Sequence, residues 1–289
     1  MTFTSLFCIL VLKFLKQLSS LLKISVSVLF ILSASTASGG DPYRSPAGAA
    51  EAGLSYVCIM KTGFWSSFQN QANLGYNKSF SFGFNYENRF NIGELATRSA
   101  AMIIPAGKTS LAAIYSHFGY SEFKRDMTGI ACGMKLSDKV SAGVQADYYS
   151  IRTSGEYNNS QAISYEAGVV VLPSESIQIG VHFYNLLPGS LKNKLLPTSL
   201  RIGAGTYLNK SVFTGIEGEM STGSKLLIRT GFEYGVAKNF WLRGGFCTEN
   251  NSFSFGFGVL AKFVHIDLGF VTHEKLGVTS SASLIFKIH

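Results

Sequence analysis

The strongest constraint in this chain is a two-residue rhythm that begins at residue 78. Phe80, Phe82, Phe84 and Tyr86 interleave with Ser81, Gly83, Asn85 and Glu87. Phe253, Phe255, Phe257 and Val259 interleave with Ser254, Gly256 and Gly258. Ile177, Ile179, Val181 and Phe183 alternate with Gln178, Gly180, His182 and Tyr184, and Ala282, Leu284, Phe286 and Ile288 alternate with Ser283, Ile285 and Lys287. Successive side chains of a strand point to opposite faces, so each run carries one apolar face and one small or polar face. Fourteen strands are predicted, near 78–90, 94–104, 108–119, 126–136, 139–152, 161–172, 176–187, 198–208, 211–221, 224–236, 239–248, 251–262, 263–273 and 276–289. A tilted membrane-crossing strand needs roughly 9–11 residues. A strand plus its turn takes about 15 residues here, more than the roughly 8–12 of a soluble sandwich. The fold class expected is all-β, a transmembrane antiparallel β-barrel.

Composition agrees with two-faced strands. Only 15% of residues are charged and 46% are hydrophobic, against about 25% charged in a typical soluble domain. That hydrophobic content excludes a disordered chain. The net charge of +8 is dispersed. No basic run is longer than Lys124-Arg125, so nucleic acid is not an expected partner. Residues 1–37 hold Lys13, Lys16 and Lys23, no acid, an apolar stretch Ile24–Leu32 and the small residues Ser35-Thr36-Ala37. This order predicts a secretory signal, with a membrane anchor as the alternative reading. Beyond it no apolar stretch is long enough for a spanning helix. Cys58, Cys132 and Cys247 remain, an odd number without a CxxC pair, which argues against a disulfide framework and a zinc site.

A strand with an apolar outer face inside lipid needs a closed barrel, because only closure pairs every backbone N–H and C=O. Parity then assigns the inner face. Glu87, Arg89, Gln145, Asp147, Glu166, Arg201, Glu217, Glu219, Arg229, Glu233, Arg243 and Asp267 are expected to line the lumen. Both signs occur, which fits paired residues around a narrow, partly filled interior better than a selective ion channel. Gly143, Gly168, Gly180, Gly203, Gly205, Gly256 and Gly258 on the same face leave room for an occupant. The candidate is the non-alternating segment before the first strand, with Gly63-Phe64-Trp65, Phe68 and Asn70–Leu74. It is predicted to fold as short helices or turns forming a hatch, the aromatic cluster arguing for packing rather than a loose tail. The organisation expected is a signal over 1–37, a hatch over 38–77 and a barrel over 78–289. Tight and longer connections alternate along the chain. Outer-membrane barrels have short periplasmic turns and longer extracellular loops. The expectation is therefore a Gram-negative outer membrane, both termini periplasmic, and 152–160 and 187–197 outside the cell.

At these residues the sequence resembles a known family. Gly48-Ala49-Ala50, Ala52-Gly53-Leu54, Phe64-Trp65-Ser66-Ser67-Phe68, Asn70-Gln71-Ala72-Asn73-Leu74, Tyr86–Phe90 with Glu94-Leu95, and Asn251–Gly258 are similar to FadL-type outer-membrane barrels and their PorV/PorQ-like relatives in Bacteroidota. The hatch pattern of that family reads Asn-Pro-Ala-Gly-Leu; here Gln71 stands for Pro and Asn73 for Gly. The resemblance implies hatch residues Trp65, Phe68, Asn70, Ala72 and Leu74. It implies a role in type IX protein secretion or surface attachment, with secretion components or cargo as partners. The alternative is a FadL-type channel for hydrophobic small molecules. Outer-membrane lipid is the expected surround in either case.

Catalytic constellations are scarce. His265 and Asp267 share a face but have no matched nucleophile, and the other histidines lack metal spacing. Gly256-Phe257-Gly258 lies inside a strand pattern with no helix after it, which excludes a nucleotide loop. Neither an enzyme nor a cofactor is expected. A charged lumen argues against lipid transport, and short loops argue against a secretion shuttle.

Overall fold

A computed structural model describes residues 46–154, 159–187, 190–191 and 194–288. The expected signal segment, residues 38–45 of the expected hatch and parts of the two longest connections lie outside the described residues.

The alternation becomes a closed barrel of fourteen antiparallel strands. In chain order these are β1 (Phe80–Asn88), β2 (Ala96–Ala106), β3 (Thr109–Gly119), β4 (Phe123–Lys135), β5 (Val140–Thr153), β6 (Ser160–Val171) and β7 (Ile177–Tyr184). A separate ladder of two short strands follows, β8 (Ser190–Leu191) and β9 (Lys194–Leu195). The barrel resumes with β10 (Ser199–Asn209), β11 (Val212–Ser221), β12 (Leu227–Ala237), β13 (Phe240–Cys247), β14 (Ser252–Ala261), β15 (Val264–His273) and β16 (Gly277–Ile288). Each barrel strand pairs with its sequence neighbour, except that β7 pairs β10 across the small ladder. β1 pairs β16 from Phe80↔Ile288 to Asn88↔Ser280, which removes the last free edge. These strands belong to one compact unit, and Thr222–Lys225 belong to another and form a turn.

Side chains sort by parity. Ile130 is 69% exposed on the outer face while its neighbour Ala131 is fully buried. Among the described residues no helix is long and apolar enough to cross a membrane. Each of the fourteen predicted strands finds its observed counterpart, and the differences lie at their ends. β1 stops at Asn88, and Arg89 sits in the 3-10 turn Arg89–Asn91, where Phe90 adopts φ 57°. β4 starts three residues earlier than expected. Tyr120 N–H donates to Phe123 O at 2.9 Å, so the turn is Tyr120–Glu122 and the ladder already runs through Gly119↔Lys124. Connections at the end holding Ala106–Thr109, Asn209–Val212 and Ala261–Val264 are tight; register shifts at Tyr207/Asn209 and Gly235/Ala237 bend the ends of β10 and β12 there.

Candidate functional site: the barrel interior

The N-terminal segment supplies the side chains that fill the interior. It folds as α1 (Ala49–Gly53) and the 3-10 turns Phe64–Phe68 and Gln71–Tyr76. These pieces are too short to persist alone, so packing must hold them. Trp65 and Leu74 are buried almost completely, and Trp65 meets Phe64 edge-on at 4.9 Å and Phe68 at 5.8 Å. Asn70 caps the second turn by accepting from Ala72 N–H at 3.1 Å, while its amide donates to Ile59 O at 2.8 Å. Gln71 donates to Gln145 at 3.0 Å and to Glu166 at 2.8 Å on the wall. Asn73 donates to Ile59 O at 3.0 Å. The two positions that depart from the Pro and Gly of the family pattern therefore both act as braces.

Glycines of the wall trace the path of this segment. A Cβ at Gly269 would lie 2.2 Å from Ala49 O, one at Gly245 2.8 Å from Leu54 C, one at Gly180 2.7 Å from Ile59 O, and one at Gly143 2.4 Å from Gln71 C. The backbone approaches so closely that only glycine fits. Ala49 N–H also donates to Ser283 at 2.8 Å, and Ser254 to Gly53 O at 3.0 Å.

Most of the charged residues assigned inward by parity are buried in ion pairs. Arg201 is buried against Glu217 and donates to Gln69 at 2.9 Å and to Tyr56 O at 2.8 Å. Glu217 in turn accepts from the backbone N–H of Cys58 and Ile59 at 3.3 and 3.4 Å. Arg229 reaches Glu219 at 2.6 Å. Arg243 bridges Glu233 at 2.7 Å and Asp267 at 2.6 Å, and Lys61 of the N-terminal segment joins Glu233 at 2.8 Å. Glu87 accepts from Tyr56 at 2.7 Å and from Arg89 at 3.1 Å, so Arg89 reaches the network from a turn rather than a strand. Asp147 accepts from Gln145 at 2.8 Å and Glu166 faces His182 at 3.0 Å. His265 Nδ1 lies 2.8 Å from Asp267, a carboxylate already committed to Arg243.

Beside the charges, which were expected to argue against apolar cargo, lies an apolar cluster. Arginine-bearing ion pairs are concentrated on β10–β15, while β2–β7 present Ala101, Ile103, Ala112, Ile114, Met127, Tyr149, Ile151 and Tyr184 to the interior together with the buried polar residues Arg125, Gln145, Asp147, Glu166 and His182. Trp65, Phe68 and Leu74 pack into that same cluster, and Leu196, just after β9, joins it. The interior therefore holds an apolar cluster beside buried charged groups, and the N-terminal segment touches both. A cavity of about 180 Å³ at the tight-turn end is lined by Glu51, Lys61, Trp65, Trp241, His265 and Asp267, among others. Burial, with Asp267 beside it, pushes the Glu51 carboxyl up to about 7.

Of the expected hatch residues, Trp65, Phe68, Asn70, Ala72 and Leu74 are all buried and belong to one packed segment. Sequence reading missed Glu51, Tyr56, Lys61, Gln69 and Gln71, which tie that segment to the wall. Their signal was polar residues recurring within an otherwise apolar, non-alternating stretch. Cys58 and Cys247 are buried, Cys132 is half-buried on the outer face, and none of the three is in a disulfide.

Several solved structures share this architecture. They include the toluene transporter TbuX of Ralstonia pickettii (TM-score 0.70, 12% identity, covering 86% of this chain and 100% of that one). The monoaromatic hydrocarbon channel CymD is similar at TM-score 0.69 and 12% identity, over 84% of this chain and 98% of that one. A FadL homologue of Pseudomonas aeruginosa aligns at 0.62 and 10% identity, over 86% and 100%. No family model and no curated protein matches the sequence. At such identities the likeness carries the fold alone, a closed β-barrel like that of these structures.

Proposed function

We propose that this protein is an outer-membrane channel for hydrophobic small molecules, with the N-terminal segment 46–77 as its hatch. The observation that carries the reading is the apolar cluster within the interior. Trp65, Phe68 and Leu74 pack with apolar side chains of β2–β7, while Tyr56, Lys61 and Gln69 are held by Arg201 and Glu233. Displacement of the segment past that cluster breaks the bonds of Gln71 to Gln145 and Glu166 and opens a path lined in part by aliphatic and aromatic groups. Sites for small molecules are mostly apolar concavities with a few placed polar groups. The named transporters of toluene and monoaromatic hydrocarbons with this fold support the same cargo class. In this reading the tight-turn end and both termini face the periplasm, and the longer connections face outward. The type IX secretion role implied by the family resemblance gains no support from these structures, and the short connections offer little surface to grip a cargo protein.

The test is purification from native membranes followed by solvent extraction and mass spectrometry, with the co-purifying proteins identified in parallel. A hydrophobic small molecule in stoichiometric amount supports the channel. Secretion components without a bound ligand would favour the secretion role instead.

A further inference from the structure

Among the described barrel-strand residues, every formally charged side chain that points outward lies on β2–β5: Arg98, Lys124, Asp126 and Arg152. All four sit within four residues of the end that carries the longer connections. Register makes them one patch. Arg98 stands opposite His117, His117 opposite Asp126, and Lys124 opposite Arg152. Asp126, the single outward carboxylate, is engaged by Tyr115 Oη at 2.7 Å and His117 Nδ1 at 2.8 Å. Arg98 lies over the Tyr86 ring at 6.0 Å. On the strands three cations thus face one anion, which is already occupied, with Glu94 and Glu122 exposed in the adjoining turns.

The position of the patch is as informative as its charge. Tyr115 and Tyr148 lie two and four residues closer to the middle of the barrel on the same outer face, and further in are Leu111, Ile130 and Val144, all exposed. Tyrosines mark the interfacial belt of a membrane barrel. A cation on the lipid face is costly at mid-bilayer and nearly free at the interface. A row of cations above tyrosines and aliphatic side chains therefore meets a molecule with an anionic head and several acyl chains. We infer that β2–β5 carry a docking site for a phosphate-bearing lipid of the outer leaflet, with Arg98, Lys124 and Arg152 on the phosphates and the outer faces of β3–β5 along the acyl chains. The inference rests on the outward orientation of the longer connections given above, and not on transport.

The experiment uses the full-length protein purified into phosphatidylcholine nanodiscs doped with diphosphoryl lipid A or with its dephosphorylated form, and native mass spectrometry reads the lipid retained. The wild type is expected to retain the diphosphoryl form in preference to the other. The triple substitution Arg98→Gln, Lys124→Gln, Arg152→Gln is expected to lose that preference by about tenfold or more, since each basic residue near an anionic surface contributes on the order of one kcal/mol. The three single substitutions each give a partial loss, which keeps the test decisive if the triple variant does not fold. Equal retention of both lipids by the wild type, or unchanged preference in the variants, overturns the site. Displacement of the lipid by millimolar inorganic phosphate also overturns it, because the patch then holds a free anion. Orientation is read separately, by labelling a cysteine placed at Ser121 in intact cells, so a failure there is distinct from a failure of lipid binding.

Discussion

Arg201 concentrates the logic of the interior in one side chain. It is buried, it neutralises Glu217, and it donates to Gln69 and to the backbone of Tyr56. Removing it leaves Glu217 with only the more distant Arg229, at 3.8 Å. Arg201→Met is expected to destabilise the protein by about 3–5 kcal/mol, the usual loss when one partner of a buried pair is deleted. Adding Glu217→Gln to it should restore part of that loss, and guanidinium unfolding in detergent micelles measures both. Glu51 gives a second residue-scale test. Its carboxyl titrates near 7 in the folded protein because burial, with Asp267 nearby, disfavours the charge. An acid with a raised folded-state pKa binds more protons folded than unfolded between about 4.5 and 7. Its contribution to stability is therefore full below that window, falls as pH rises through it and stays low above it, by no more than about 3 kcal/mol. Glu51→Gln should flatten this part of the stability–pH curve. A variant that retains the wild-type slope between pH 4.5 and 7 assigns the titration to another group.

At the scale of elements, the N-terminal segment and the strands are matched by small residues. Gly143→Ala places a Cβ 2.4 Å from the backbone of Gln71, so the segment or the strand must move. The expected loss is about 1–3 kcal/mol, typical of overpacking. Gly218→Ala on β11 meets nothing closer than 3.9 Å and should stay within about 0.5 kcal/mol. Thermal unfolding of both variants, with limited proteolysis of 46–77, checks the pair. The strands were legible in sequence because each one separates an apolar exterior from a small or polar interior, which writes the fold as period two. Strand ends were less legible. Asn88 and Arg89 differ little in pattern, yet a left-handed Phe90 ends the strand, and Phe123 continues β4 because its backbone closes the turn with Tyr120. The β8–β9 ladder is too short to leave a periodic trace.

For the whole molecule, parity located the lumen charges but not their partners. Arg201 and Gln69 are 132 residues apart, and nothing local in either stretch announces the bond. The glycines announced an occupant without giving its route; the route follows from which glycine faces which backbone atom. The apolar cluster formed by β2–β7 with Trp65, Phe68 and Leu74 was also hidden, because it depends on strand order around the barrel rather than on any one strand. That cluster is the basis for reading the protein as a conduit for apolar solutes. The most direct measurement is uptake of a radiolabelled long-chain fatty acid and of toluene by intact Gram-negative cells that lack their own channels of this fold and express this protein. The account predicts uptake of at least one of them well above the empty-vector rate, and its loss when Cys substitutions at Trp65 and Ile114 are cross-linked to fix the segment to the apolar cluster. Uptake equal to the vector control, with the barrel folded and present in the outer membrane, would contradict it.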